Sequence, residues 1–270
     1  MAWLTGWSGR KKITIDRTNV GADLTDFPLY SYFNADADIG SRALASGNDI
    51  RFTQSDGTTL LKYEPEYWNV AAGAATAHFW TKVPLVTTAA NAEIYIYYGN
   101  AGAAAGADPV NVWDAFYSAV WHLAEAANPY MDSTVNNNDS NAGTYPTQIN
   151  GQIYKGQDFE KTVTQNYIRF ADAATLDFGT GDFTISFCIK PESMAYEFII
   201  AKNSSDAPKW FIEWTDGPSL YSVIRDAAAH EITVTSNGTF SAGTMYHVTL
   251  VCDRDSATGF KFFINGTVDP

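Results

Sequence analysis

No stretch of this 270-residue chain stays apolar for the roughly 20 residues that a membrane-spanning helix requires. Basic residues are scarce as well: 17 Lys and Arg stand against 30 Asp and Glu, for a net charge of −13. That balance excludes the clustered cations that bind nucleic acid, and it opposes docking on an anionic membrane surface. There are only two cysteines, Cys188 and Cys252. Both sit inside strand-like runs, which reads as two buried free thiols rather than a disulfide. The four histidines, His78, His122, His230 and His247, each stand alone in or beside a strand, and no pair has metal spacing. They read as structural residues. There is no G-x-S-x-G nucleophile elbow and no glycine-rich phosphate loop between a strand and a helix. The first residues, MAWLTGWSGRKKITID, lack the apolar core of a secretory signal, so synthesis in the cytoplasm without general export is expected. Helix signals are few, and the Ala-rich GNAGAAAGADP carries too much glycine to hold one.

What the chain has is β patterning. Apolar residues make up 46% and aromatics 14%, enough for large sheet faces. KKITID alternates, with Ile13 and Ile15 on one face. DIRFTQSDGTTLLKYE reads as two strands joined at Asp56-Gly57, a hairpin signal. AHFWTKVP and AEIYIYYGN follow, the second with Ile94, Ile96 and Tyr98 on one face and Tyr95 and Tyr97 on the other. Another set begins near Val120 and includes DFTISFCIKP, YEFIIAK, WFIEW, LYSVIR, EITVTS, MYHVTLVCD and FKFFING. Short strands separated by Gly, Asn or Asp turns are the pattern of a β-sandwich. The fold class expected is all-β, with two β-sandwich domains at 1–115 and 116–270. The boundary falls in the Gly- and Ala-rich connection between Gly99 and Phe116. Ile185, Phe187, Ile189, Tyr246, Val248 and Leu250 are expected to face the second core.

Candidate chemistry is thin. A glycosidase needs two carboxylates facing one cleft. Glu213 and Asp216, three apart in FIEWTDG, face opposite sides of a strand. Glu64 and Glu66 have the alternating spacing but flank Pro65, which suggests an edge strand. The expectation for both pairs is carboxylates exposed on a strand. Trp210 and Trp214 share a strand face with Ile212 between them. Exposed, they would make a glycan-stacking platform; buried, they would be sandwich core, and Ile212 favours core.

Several pieces, GWSGRKKITID, LTDFPLY, NDIRFTQSDGTTLLKYEPEYWN, FWTKVP, IYIYYGN and VWDAFYSAVWHL, make the first 115 residues resemble the family known as domain of unknown function 2341. In residues 116–270, VWHLAE, DSTVNNNDSNAG, DFTISFCIKP, FIIAK, YHVTLVCD and FFING resemble a laminin-G-like, concanavalin A-like jelly roll. The resemblance implies that Trp121 and Leu123 begin the first jelly-roll strand. It also implies further strands after FFING, so a jelly roll lacking its last strands is expected. The polar run from Met131 to Gly143 would then be a loop at the rim. Such rims hold calcium in laminin-G-like domains, and Asp132, Asn136, Asn138 and Asp139 could supply oxygens. A plain turn-rich loop is the competing reading, since Asn and Asp cap their own backbone.

Phage structural proteins and some bacterial and archaeal envelope proteins combine the two modules. The resemblance implies a non-enzymatic virion protein, in a tail fibre, spike or decoration role, that adheres to a host glycan. Its partners would be other virion proteins, in a homo-oligomer with a trimer preferred. The alternative is a glycan-binding or adhesive module of a cell surface, and a glycoside hydrolase is the least supported reading.

Overall fold

The computed structural model describes residues 2–161, 165–202 and 209–269. The chain forms two compact units, Met1–Leu176 and Asp177–Pro270. The division falls well after the Gly99–Phe116 connection, which holds only a 3-10 turn at Pro109–Asn111.

The first unit is built on seven strands: β1 (Gly9–Ile15), β2 (Leu24–Asp36), β3 (Arg51–Gln54), β4 (Leu60–Leu61), β5 (Tyr63–Ala71), β6 (Ala74–Val86) and β7 (Ala92–Tyr98). They make two antiparallel sheets, ordered β1-β7-β3-β4 and β2-β6-β5. The core between them takes Ile94, Ile96 and Tyr98 from β7, as the alternation predicts, together with Phe52, Tyr63 and Phe79. Tyr97, on the other face of β7, is also buried; its hydroxyl donates to the Gly57 carbonyl at 2.8 Å. The Asp56-Gly57 turn joins β3 to β4 as expected. The Asp56 carboxylate accepts the Thr58 and Thr59 amides at 2.8 and 2.9 Å. Gly57 has φ of +80°, and a β-carbon there would meet the Ala2 carbonyl at 2.3 Å, so the turn requires glycine.

Four short strands follow in the same unit: β8 (Ser140–Thr144), β9 (Thr147–Asn150), β10 (Lys155–Asp158) and β11 (Tyr167–Phe170), paired β8 with β11 and β9 with β10. The expected first jelly-roll strand at Trp121 and Leu123 does not form. Trp121 makes a single bridge to Asp132, and Leu123 takes a positive φ of 55°, which interrupts an extended run.

The second unit is a sandwich of two four-stranded antiparallel sheets. Its strands are β12 (Phe183–Ile189), β13 (Glu197–Lys202), β14 (Lys209–Trp214), β15 (Leu220–Arg225), β16 (Glu231–Thr235), β17 (Tyr246–Cys252), β18 (Phe260–Ile264) and β19 (Thr267–Val268). The sheet orders are β12-β17-β18-β19 and β13-β14-β15-β16. Ile212, Trp214 and Leu220 from one sheet meet Val248, Leu250 and Phe262 from the other. Ile185, Phe187, Ile189 and Tyr246 pack against them, so all six residues expected in this core are there. The same alternation sends Cys188 outward. It is exposed, Cys252 is buried, and both thiols are free, so the expectation of two buried thiols holds only for Cys252.

Candidate functional site

Three places in the fold gather chemistry-bearing side chains. The first is on the outer face of the β2-β6-β5 sheet. β5 is the edge strand there, as Pro65 predicts. A register shift between Pro65 and Tyr67 leaves Glu66 as the extra residue of a bulge. Such a bulge re-aims side chains, and Glu64, Glu66 and Tyr67 all turn to the side that carries His78 and Trp80.

The carboxylates expected to be exposed are buried, with Glu64 and Glu66 side chains only 10% and 3% accessible. What covers them lies some fifty to seventy residues later in the chain, a separation that strand spacing cannot reveal. Glu64 Oε2 accepts from Trp113 Nε1 at 2.9 Å and lies 3.3 Å from His122 Nε2, while Oε1 accepts from the Ser133 hydroxyl at 2.5 Å. Glu66 accepts from Trp80 Nε1 at 2.7 Å, and its carboxylate is 3.8 Å from His122 Nδ1. The His122 ring stacks on Trp80 and tilts against Trp113.

The electrostatics follow from this packing. Burial alone would push His122 down, but the hydrogen bond and charge of Glu64, with Glu66 and Glu125 behind, hold it above the ordinary imidazole value. Burial alone would push Glu64 up, but His122, Ser133 and Trp113 outweigh that and hold it low. Glu66 is raised, chiefly by desolvation. His122 is therefore not the solitary structural histidine its sequence context suggests. Both oxygens of Glu64 are engaged by internal partners, and its side chain is only 10% accessible.

The second place is the polar run. Asp132 is buried, and both of its oxygens accept hydrogen bonds: from the Val120 and Thr134 amides at 3.0 and 2.9 Å on one side, and from the Asn138 amide and the Thr134 hydroxyl at 2.9 and 3.0 Å on the other. Asp139 accepts the Asp132 amide at 2.7 Å. Asn136 and Asn138 both donate to the Ser118 carbonyl, at 3.0 Å each. The four proposed calcium ligands do come together, but these contacts are made within the loop itself and to the backbone at Ser118 and Val120. No group of three or more His, Cys, Asp or Glu side chains placed to hold a metal occurs among the described residues.

The third place is in the second unit. Here the two readings of Trp210 and Trp214, glycan platform or sandwich core, separate in favour of core, as Ile212 between them suggests. Trp214 is 4% exposed and packs edge-on against Phe240 inside the core, and Trp210 is partly buried and stacked on Phe178. Ile212 between them is fully buried, so this face of β14 points inward.

The opposite face is also aromatic; Phe211 on it is buried, at 6% exposed, and of its rings only those on the β13 side are open. Phe198, Phe211 and Tyr221 lie side by side on β13, β14 and β15, with Tyr196 beyond Phe198. Neighbouring ring centres are 5.1 to 6.2 Å apart and the rings steeply inclined. Tyr196 and Phe198 are 54% and 42% exposed. Glu213 pairs across the strands with Phe198 on one side and Tyr221 on the other. It is 8% exposed, and its Oε2 has no hydrogen-bond partner among the described residues. Desolvation raises it above the ordinary carboxylate value, while the Tyr196 phenol and the Lys209 charge pull it back in part. The signal for this face was in the sequence, in the alternate residues of the same strand: Phe211 and Glu213 occupy the parity opposite to Trp210 and Trp214. Asp216, the other acidic residue of that stretch, sits in the turn after β14 with φ of +66°.

Comparison with known families agrees with the architecture. Residues 46–121 match the family described as a domain of unknown function (DUF2341), and residues 159–270 match the concanavalin A-like lectin/glucanases superfamily. The chain is thus an all-β protein in which a segment of the first family precedes a concanavalin A-like domain. No curated protein and no solved structure was found to match it.

Proposed function

We propose that the chain is a carbohydrate-binding, adhesive module that acts by binding rather than by catalysis. The observation that carries this reading is the exposed aromatic pair Tyr196 and Phe198 at the β13 side of the β13-β14-β15-β16 sheet, set in a domain that matches the concanavalin A-like superfamily. Sugar rings stack their C–H faces on aromatic side chains. The non-catalytic part is supported by the carboxylates themselves. Glu64 is committed to internal donors, and Glu213 shares its face with aromatics rather than a second acid at its own level.

The pairing of the two families and the acidic balance support a place on a virion, as part of a fibre, spike or decoration protein assembled with other virion proteins as a homo-oligomer, a trimer being preferred. A screen of the full chain against an array of neutral, acidic and amino glycans tests the binding reading. The expected result is retention on at least one glycan class, weakened by Phe198→Ala and without hydrolysis. Turnover of a bound glycan, or no retention at all, defeats the reading. Light scattering of the same preparation tests the oligomer, and a monomer at all concentrations would remove that part.

A further inference from the structure

We propose that β12 is a docking edge for a second copy of this chain. The strand Phe183–Ile189 adds antiparallel to the same strand of the partner, about a two-fold axis at Ser186, and joins their sheets. This inference does not rest on the glycan-binding reading; it specifies one contact of the homo-oligomer proposed above.

A bare strand edge offers unpaired amides and carbonyls to another strand, and folds blunt it with charge, proline, a bulge or brevity. The other edges of the larger sheets all carry such a device. β1 has Arg10, Lys11 and Lys12, β2 has Pro28 and a register shift, and β5 has Pro65 and a bulge. β4 and β19 are 2 residues long. β13 has a register shift between Phe198 and Ile200, and β16 begins at Glu231. β12, FTISFCI, has neither charge nor proline, and it pairs with β17 in unbroken register over all 7 residues. Among the described residues nothing hydrogen-bonds to the backbone on its other side.

This edge is also self-complementary. Phe183, Ile185, Phe187 and Ile189 are half-buried and alternate with the exposed Thr184, Ser186 and Cys188, a pattern that reads the same from either end. An antiparallel pair centred on Ser186 keeps every side chain on its own face. The flanks fit the same register. Asp182 and Lys190 are exposed, share the parity of Ser186 and stand 4 residues to either side of it. Each Asp182 therefore meets the partner's Lys190, twice by symmetry, whereas in-register parallel pairing would set like charges together. Asp182 Oδ1 accepts the Arg254 amide at 2.8 Å, which leaves Oδ2 for the ammonium. A contact of this symmetry joins copies in twos.

Sedimentation of the full chain over a concentration series, with hydrogen exchange on the same samples, tests the pairing. Wild type is expected to associate in twos, and alternate β12 amides to exchange more slowly as concentration rises. Ser186→Lys puts two like charges on the axis and is expected to remove the association with an unchanged circular dichroism spectrum. Lys190→Glu lies outside the strand and leaves the fold alone. It turns both end pairs repulsive and is expected to weaken association about tenfold. A monomer at every concentration overturns the proposal, as does association that neither variant alters. A trimer that persists in Ser186→Lys overturns this contact and leaves the trimer preferred above intact.

Discussion

Each unit of this protein removes a glutamate from water, and the two glutamates are treated differently. Glu64 is met by a tryptophan, a histidine and a serine drawn from segments far along the chain, and its pKa is held down. Glu213 is surrounded by aromatic rings, keeps one oxygen without a partner, and its pKa is pushed up. A saturated carboxylate holds structure together, because removing it strands its donors. An unsaturated one is a cost to the fold. Burial alone therefore does not say how well a carboxylate is satisfied; the count of donors does.

The sharpest way to break this contrast is Glu64→Ala. It leaves Trp113, Ser133 and a buried His122 without their acceptor, and the first unit should lose about 3–5 kcal/mol in denaturant unfolding. A loss below about 1 kcal/mol would mean that the cluster does not hold its segment on the sheet. Next in size is Asp132→Ala, which removes the acceptor of four hydrogen bonds and should cost about 1–3 kcal/mol. That cost should be the same with added calcium and with chelator. If chelator alone lowers the melting temperature of wild type to that of the variant, the loop holds a cation.

A smaller effect is expected from pH. His122 is raised, so its contribution is fully present below the ordinary imidazole value and is lost as pH rises through its folded value. Glu64 is lowered, so its contribution is present above the ordinary carboxylate value and is lost as pH falls through its folded value. Glu66, raised by desolvation, works against Glu64 and makes the acid limb shallower. First-unit stability should therefore peak between the two folded values, and His122→Gln should flatten the alkaline limb. An unchanged alkaline limb in that variant would remove His122 from the account. The smallest effect belongs to Glu213→Leu. Replacing an unsatisfied carboxylate should leave the second unit within about 1 kcal/mol of wild type, or slightly more stable. A loss of several kcal/mol would show Glu213 to be structural like Glu64, and the contrast would collapse.

Much of this fold was legible because alternation is a local signal. Ile94, Ile96 and Tyr98 on β7, and Ile185, Phe187 and Ile189 on β12, point where period-2 patterning sends them. β2, thirteen residues long, was not legible as a strand, because Pro28 interrupts its pattern and both of its faces are half-buried. The site was legible only in part. The Trp210–Trp214 strand has aromatics on both faces, so parity alone could not tell core from surface, and the fully buried Ile212 decides it. The Glu64 cluster was hidden twice: the bulge at Glu66 shifts the parity of β5, and its partners Trp113, His122 and Ser133 arrive through long-range packing.

One feature of the second unit bears on how the protein can be handled. Cys188 projects from the outer face of β12, across from His247 on β17, while Cys252 is buried. A thiol-directed reagent used under native conditions should therefore modify a single position. Desolvation raises the Cys188 thiol, so coupling should be slow at neutral pH and speed up as the solution is made more alkaline. Tethered to a sensor chip through that sulfur, the protein would be held from the outer face of β12, a fixed orientation obtained without altering any residue.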